Sequence, residues 1–294
     1  MFTEQKSSHY QRKTFPIMSD AWFSKEILPE GPDGDPEDGC HPTQAQALKD
    51  YYHKKTSAKE AAQAITQSTI DSEDPGDNSY RLWGLLTNAL VELPAAHTPA
   101  LIQLLDAIRN LPEPDMTARR TTERSWDGFR RDLVNFGHMW ADCYKSDNWR
   151  PDLAASDPAN RAELRAEHIK RADIEARLTV ADVGIFPMDW AYECMADALE
   201  HRSAVLDFEV PAAARWLAIV GNQMYAGAVG GEESWALKRP RDFGKESSAM
   251  SLERWAFWKK RLGELAQQCE AVRIAAEGAV REMETLERNS PGSE

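Results

Sequence analysis

Asp189, Glu193, Asp197 and His201 recur every fourth residue, a spacing that lines them up along one side of a helix. Carboxylates so arranged hold magnesium in helical prenyl-transfer and terpene-cyclising enzymes, because a hard dication takes oxygen ligands. The helical wheel argues against that use. Trp190, Ala191, Cys194, Met195 and Ala198 fall on the opposite side, so the acidic row is expected to face water. No second carboxylate cluster supplies ligands for further ions. Asp189, Glu193 and Asp197 therefore stand only as an alternative metal set, and no resident metal is expected.

A second set lies in the segment from Pro211 to Ala228, which is apolar nearly all round except for Arg215, Asn222 and Gln223. Arg215 and Asn222 are seven residues apart and share a side with the small Ala218 and Ala226. A buried guanidinium or amide must find a partner, so the pair is either held in a structural ion pair or anchors a ligand in a pocket. Indole and phenol rings line sites for apolar or cationic guests. Trp83, Trp126, Trp140, Trp190, Trp216 and Tyr225, all in central helical windows, are the candidate walls. Gly227-Ala-Val-Gly-Gly231 follows a helix and not a strand, so it reads as a helix C-cap instead of a phosphate cradle. Arg119, Arg120, Arg124, Arg130 and Arg131, interrupted by Glu123, Asp127 and Asp132, read as a solvated face. There is no phosphate loop, dinucleotide fingerprint, zinc helix or nucleophile elbow. No cofactor is expected.

These residues need helices to position them, and proline placement marks where helices stop. Windows of helical periodicity cover about 43–55, 57–70, 79–93, 98–111, 126–146, 158–182, 187–202, 211–228 and 251–287. Ser57-x-x-Glu60 is a capping box, and Thr98-Pro99 and Asp157-Pro158 are N-caps followed by first-turn prolines. No convincing alternation marks a strand. The expected fold is all-α, an irregular array or bundle of about nine helices. In the window from Trp126, the residues Trp126, Phe129, Leu133, Phe136, Trp140 and Tyr144 form one stripe. The last window repeats apolar residues in steps of three and four from Trp255 to Leu286, predicting a long heptad-patterned helix, bent or overhanging, that packs within the chain or forms a homodimer seam.

Composition excludes several partners. Across 294 residues, 35 Lys and Arg face 48 Asp and Glu, a net charge of −13, which disfavours nucleic acid and anionic lipid. Four scattered cysteines without a Cys-x-x-Cys pair fit a reducing cytoplasm, and the first thirty residues show neither a signal peptide nor a membrane span. The acidic stretch Glu30–Gly39, rich in Gly and Pro, reads as a flexible loop within an extension over 1–42. Residues 43–287 are expected to form one helical domain, and 288–294 a disordered tail.

Leu93-Pro94, the run Leu101 to Pro112, Asp197-Ala-Leu-Glu200, Val210 to Leu217 and Ser251-Leu-Glu-Arg-Trp-Ala-Phe-Trp-Lys-Lys-Arg-Leu262 resemble, in order, a family of uncharacterised helical proteins of filamentous fungi, the domain of unknown function 3632. The resemblance runs from about residue 43 to 285, with the Ser-Leu-Glu-Arg-Trp-x-x-Trp-Lys-x-Arg element the most specific. It implies an intracellular all-helical fold and carries over no catalytic residue. The expected function is a cofactor-free protein that binds a small apolar or aromatic molecule, such as a cyclase or isomerase of fungal specialised metabolism. The alternative is a non-catalytic interaction or scaffold protein that uses its C-terminal helix.

Overall fold

A computed structural model describes residues 19–27, 39–72, 75–115, 128–145, 149–243 and 247–289. Among them lie twelve α-helices and no strand, only one bridge between Glu233 and Ala249. The all-α class holds, with three more helices than the nine expected. The first five are α1 (Ser19–Glu26), α2 (Pro42–Tyr52), α3 (Ala58–Asp71), α4 (Pro75–Glu92) and α5 (Thr98–Arg109). After them come α6 (Phe136–Tyr144), α7 (Trp149–Ala155), α8 (Arg161–Ala181) and α9 (Asp189–Glu200). The last three are α10 (Leu206–Gly230), α11 (Leu252–Gln268) and α12 (Arg273–Asn289).

Local chemistry starts these helices where the sequence suggests. Ser57 accepts from the Glu60 amide while Glu60 caps the Ser57 amide, so two orphan donors are satisfied at once. Ser251 accepts from the Arg254 amide at the start of α11. Gly231 ends α10 in the left-handed region, at φ 67°, which is the C-cap expected of that glycine run.

The central helix is α10, packed on α8, α9, α11 and α12, while α2, α3 and α5 form a smaller group tied on through α4 and α8. Buried side chains from Trp22 to Leu286 form one continuous core. Because α1 buries Trp22 and Phe23, the packed body begins before the boundary drawn at residue 43. Most of the acidic stretch 30–39, Trp126, Arg119, Arg120, Arg124 and residues 290–294 lie outside the described residues.

Two expected helices are interrupted. The window 126–146 contains a five-residue π-turn, Phe129–Leu133, and then α6, with Leu133 at φ 46° closing the first and Asn135 at φ 72° preceding the second. Trp83 Nε1 donates to the Val134 carbonyl freed at this kink, 2.7 Å away. The window 251–287 breaks at Cys269, and α11 and α12 fold back on each other, so that Trp255 near one end donates to Glu287 near the other at 2.9 Å. The long heptad helix is thus an antiparallel hairpin. Its apolar positions Trp258, Leu262, Leu265, Val272, Ala276, Ala279, Met283 and Leu286 are buried within the chain. Pro211 also lies inside α10, not between helices.

Candidate functional site

Among the described residues, the central indoles proposed as chamber walls lie in packed core. Trp83, Trp140 and Trp216 are 1% exposed or less, so they touch neither solvent nor a void wide enough for a water molecule. Trp83 packs on Phe129 and Phe136, and Phe186 lies against Trp140 and Trp190. Tyr225 meets Trp255 edge to face at 5.0 Å, away from that group. The indoles are also pinned: Trp140 Nε1 donates to Glu175 at 2.9 Å and Trp258 Nε1 to Glu200 at 2.7 Å. A ring with its N–H satisfied and its faces packed is a core element.

The polar pair does not converge either. Asn222 is exposed, and Arg215 is half-exposed with its Nε donating to Asp173 on α8 at 3.0 Å, where Arg177 binds as well. The helix holding them is wrapped on most sides, but this edge of it meets water. The structural ion pair is what forms.

The acidic row, in contrast, is not a solvated face. Glu193 lies 3.7 Å from Lys145 and 3.0 Å from Arg239. Asp197 lies 3.3 Å from Arg150 and 3.5 Å from Arg241. Asp189 accepts from the Ser234 hydroxyl and the Trp235 amide. Five carboxylates, Glu175, Glu193, Asp197, Glu200 and Glu209, meet five cations, Lys145, Arg150, Arg239, Arg241 and Arg254. No group of three or more metal-ligating side chains occurs among the described residues. Burial works against the Lys145 charge, but Glu175 and Glu193 outweigh it and hold its pKa above the ordinary lysine value. Burial pushes Glu209 up to about 7, with Arg150 pulling the other way.

Sequence reasoning passed over the hub of this lattice. Glu200, 1% exposed, receives Arg254 Nε at 2.9 Å and the Trp258 indole, with Arg241 at 3.9 Å. Asp197-Ala-Leu-Glu200 and the Ser-Leu-Glu-Arg-Trp element therefore meet at a single carboxylate. Arg130, read as solvated, is also buried; its guanidinium donates to the Pro112 carbonyl at 2.6 Å and to Thr66 at 2.9 Å.

Open space lies elsewhere. A cleft of about 210 Å³ is bounded by Leu48, Tyr51 and Tyr52 of α2, by Lys54 and Thr56 in the turn after it, by His97, and by Ala100, Leu101 and Gln103 of α5. Tyr51 Oη bridges the two helices, donating to the Ala100 carbonyl at 2.8 Å. Tyr52 stacks on His97 with centroids 4.1 Å apart and an interplanar angle of 25°. Burial, and then the Lys54 charge, lower the His97 pKa, so its ring is neutral at pH 7. The α2 terminus places Lys54: the Lys55 amide bonds to the Asp50 carbonyl and the Lys54 amide to that of Tyr51, a Schellman closure that puts Lys54 at φ 58°. No spacing rule links residues 48–56 to 97–103, because only the packing of α2, α3 and α5 brings them together.

No curated protein and no solved structure matches the chain. Among the described residues, no helix is long and apolar enough to cross a membrane. The family described as "Protein of unknown function (DUF3632)" matches residues 83–262, taking in α5, the Glu200 hub and most of α11 but not α2. That span is more than half of the 294 residues, and the chain belongs to this family of proteins of unknown function.

Proposed function

We propose that the protein binds a small organic molecule without a resident cofactor, and that it does so in the cleft between α2 and α5 instead of among its central indoles. One observation carries this: the central rings are packed solid, whereas the α2–α5 cleft holds about 210 Å³ between aromatic and aliphatic walls. A cavity of about 150 Å³ is enough for benzene, and drug-sized pockets start near about 300 Å³, so the guest is a single ring or its equivalent. The walls are fixed before any guest arrives, by the Tyr51 bridge and the Tyr52–His97 stack. The cleft opens to solvent, so the proposal stops at binding. Four scattered cysteines without a Cys-x-x-Cys pair favour a cytoplasmic setting.

The scaffold reading loses its main argument, since the heptad face that would recruit a partner is spent on the α11–α12 hairpin. Ligand-observed NMR against single-ring fragments tests the binding reading. Hits are expected with the wild type and should vanish in Ala100→Phe, whose ring fills the cleft. Hits that survive the substitution, or none at all, would refute it.

A further inference from the structure

The cleft also has a polarity, and from it we infer that the guest carries a carboxylate: the site takes a small monocarboxylate on an aromatic or compact aliphatic body, its anionic end at Lys54 and Thr56. This rests on the binding reading above and deepens it.

Three observations bear on it. In a chain with net charge −13, the nine residues lining this cleft include an ammonium and no carboxylate. No acidic side chain of the described residues pairs with Lys54, although Lys49, Lys55 and His53 next to it are paired with Asp20 or Asp50. Lys54 is exposed at the edge of the cleft, and a cation there with no carboxylate beside it favours an anion.

The second observation is the Thr56 hydroxyl, which is buried and has no hydrogen-bond partner. Buried hydroxyls are nearly always satisfied, and Thr56 lines the cleft with its oxygen turned away from the open space, so a rotation of this one side chain would bring the hydroxyl to an acceptor that is not part of the chain. A carboxylate oxygen accepts from it as well as from an ammonium, and bonds to a charged acceptor are the stronger kind.

The third is the backbone at Lys54. Its left-handed conformation, φ 58°, is one that glycine adopts freely and a long side chain adopts at a cost. Helix termination alone would be better served by Gly at this position. Strain of this sort is kept where the side chain has work to do. The aromatic pair Tyr52 and His97 and the aliphatic Leu48 and Leu101 then receive the body of the guest.

Isothermal titration of the full chain with benzoate, and with benzyl alcohol as the neutral analogue of the same size, tests the assignment. Benzoate is expected to bind at least about tenfold more tightly than benzyl alcohol. Lys54→Gly should erase that preference while leaving the melting temperature unchanged or higher, because glycine relieves the left-handed strain. Thr56→Val should weaken benzoate and not benzyl alcohol. Equal binding of both probes, untouched by Lys54→Gly, would overturn the carboxylate assignment and leave the binding reading standing. Failure of both probes to bind would overturn the two together. A Lys54→Gly protein that lost both its fold and its binding would show that Lys54 is structural, and would also overturn the assignment.

Discussion

A carboxylate at 1% exposure that serves a guanidinium, an indole and a second arginine is costly to remove, because the groups it neutralises stay buried. Glu200→Ala is expected to cost about 3–5 kcal/mol in urea unfolding, a large share of the roughly 5–15 kcal/mol that holds a domain together. A loss under about 1 kcal/mol would mean that water replaces it. Glu209 sets a pH dependence of definite sign. Its folded pKa of about 7 stands above the ordinary 4.5, so the folded state holds a proton that the unfolded chain has released. Its contribution to stability is complete below about pH 4.5 and disappears as pH rises through 7. Between pH 5 and 8 the wild type should therefore lose on the order of 2 kcal/mol relative to Glu209→Gln, and a constant gap between the two would contradict the assignment. Neither residue stood out in the sequence. The cations that meet the acidic row come from Lys145, Arg150, Arg239 and Arg241, far along the chain, and a helical wheel shows only which way a side chain points, not what crosses over it.

At the level of elements, the sequence located most helices because caps and periodicity are local. Ser57-x-x-Glu60 and the glycines after Ala226 work within a few residues of themselves, whereas Thr98, expected as an N-cap, is the first residue of α5, with His97 at the N-cap and no side-chain cap bond there. The break at Cys269 left no such mark. Leu265, Cys269, Val272 and Ala276 keep the three-four spacing straight through it, with no Gly or Pro to interrupt. An apolar stripe demands cover, and the same pattern is satisfied by a second chain or by its own continuation folded back. The hairpin makes α12 the lid over α10 and α11. A chain ending at residue 268 would bare Trp255 and Leu262, remove the Glu287 partner of Trp255 and Lys259, and is expected to lose cooperative unfolding in calorimetry. A truncated protein that melts sharply as a monomer would show that α12 is an accessory.

Across the whole molecule, the sequence carried the helical class and the family, and missed where space is left over. Counting tryptophans says how much ring must be buried but not whether rings meet each other or a guest, and here they meet each other. The cleft lies within the small group of α2, α3 and α5 and depends on helix packings that no short-range signal encodes. The burial of the indoles also makes the protein a reporter on itself. Trp22, Trp83, Trp140, Trp216, Trp255 and Trp258 are less than 2% exposed, while Trp235 is 46% exposed. In the native state acrylamide should dim only a minor part of the emission, and on denaturation nearly all of it; strong quenching of the native protein would contradict the packing. Light absorbed by the rings would then register every loosening of the interior without any label being attached.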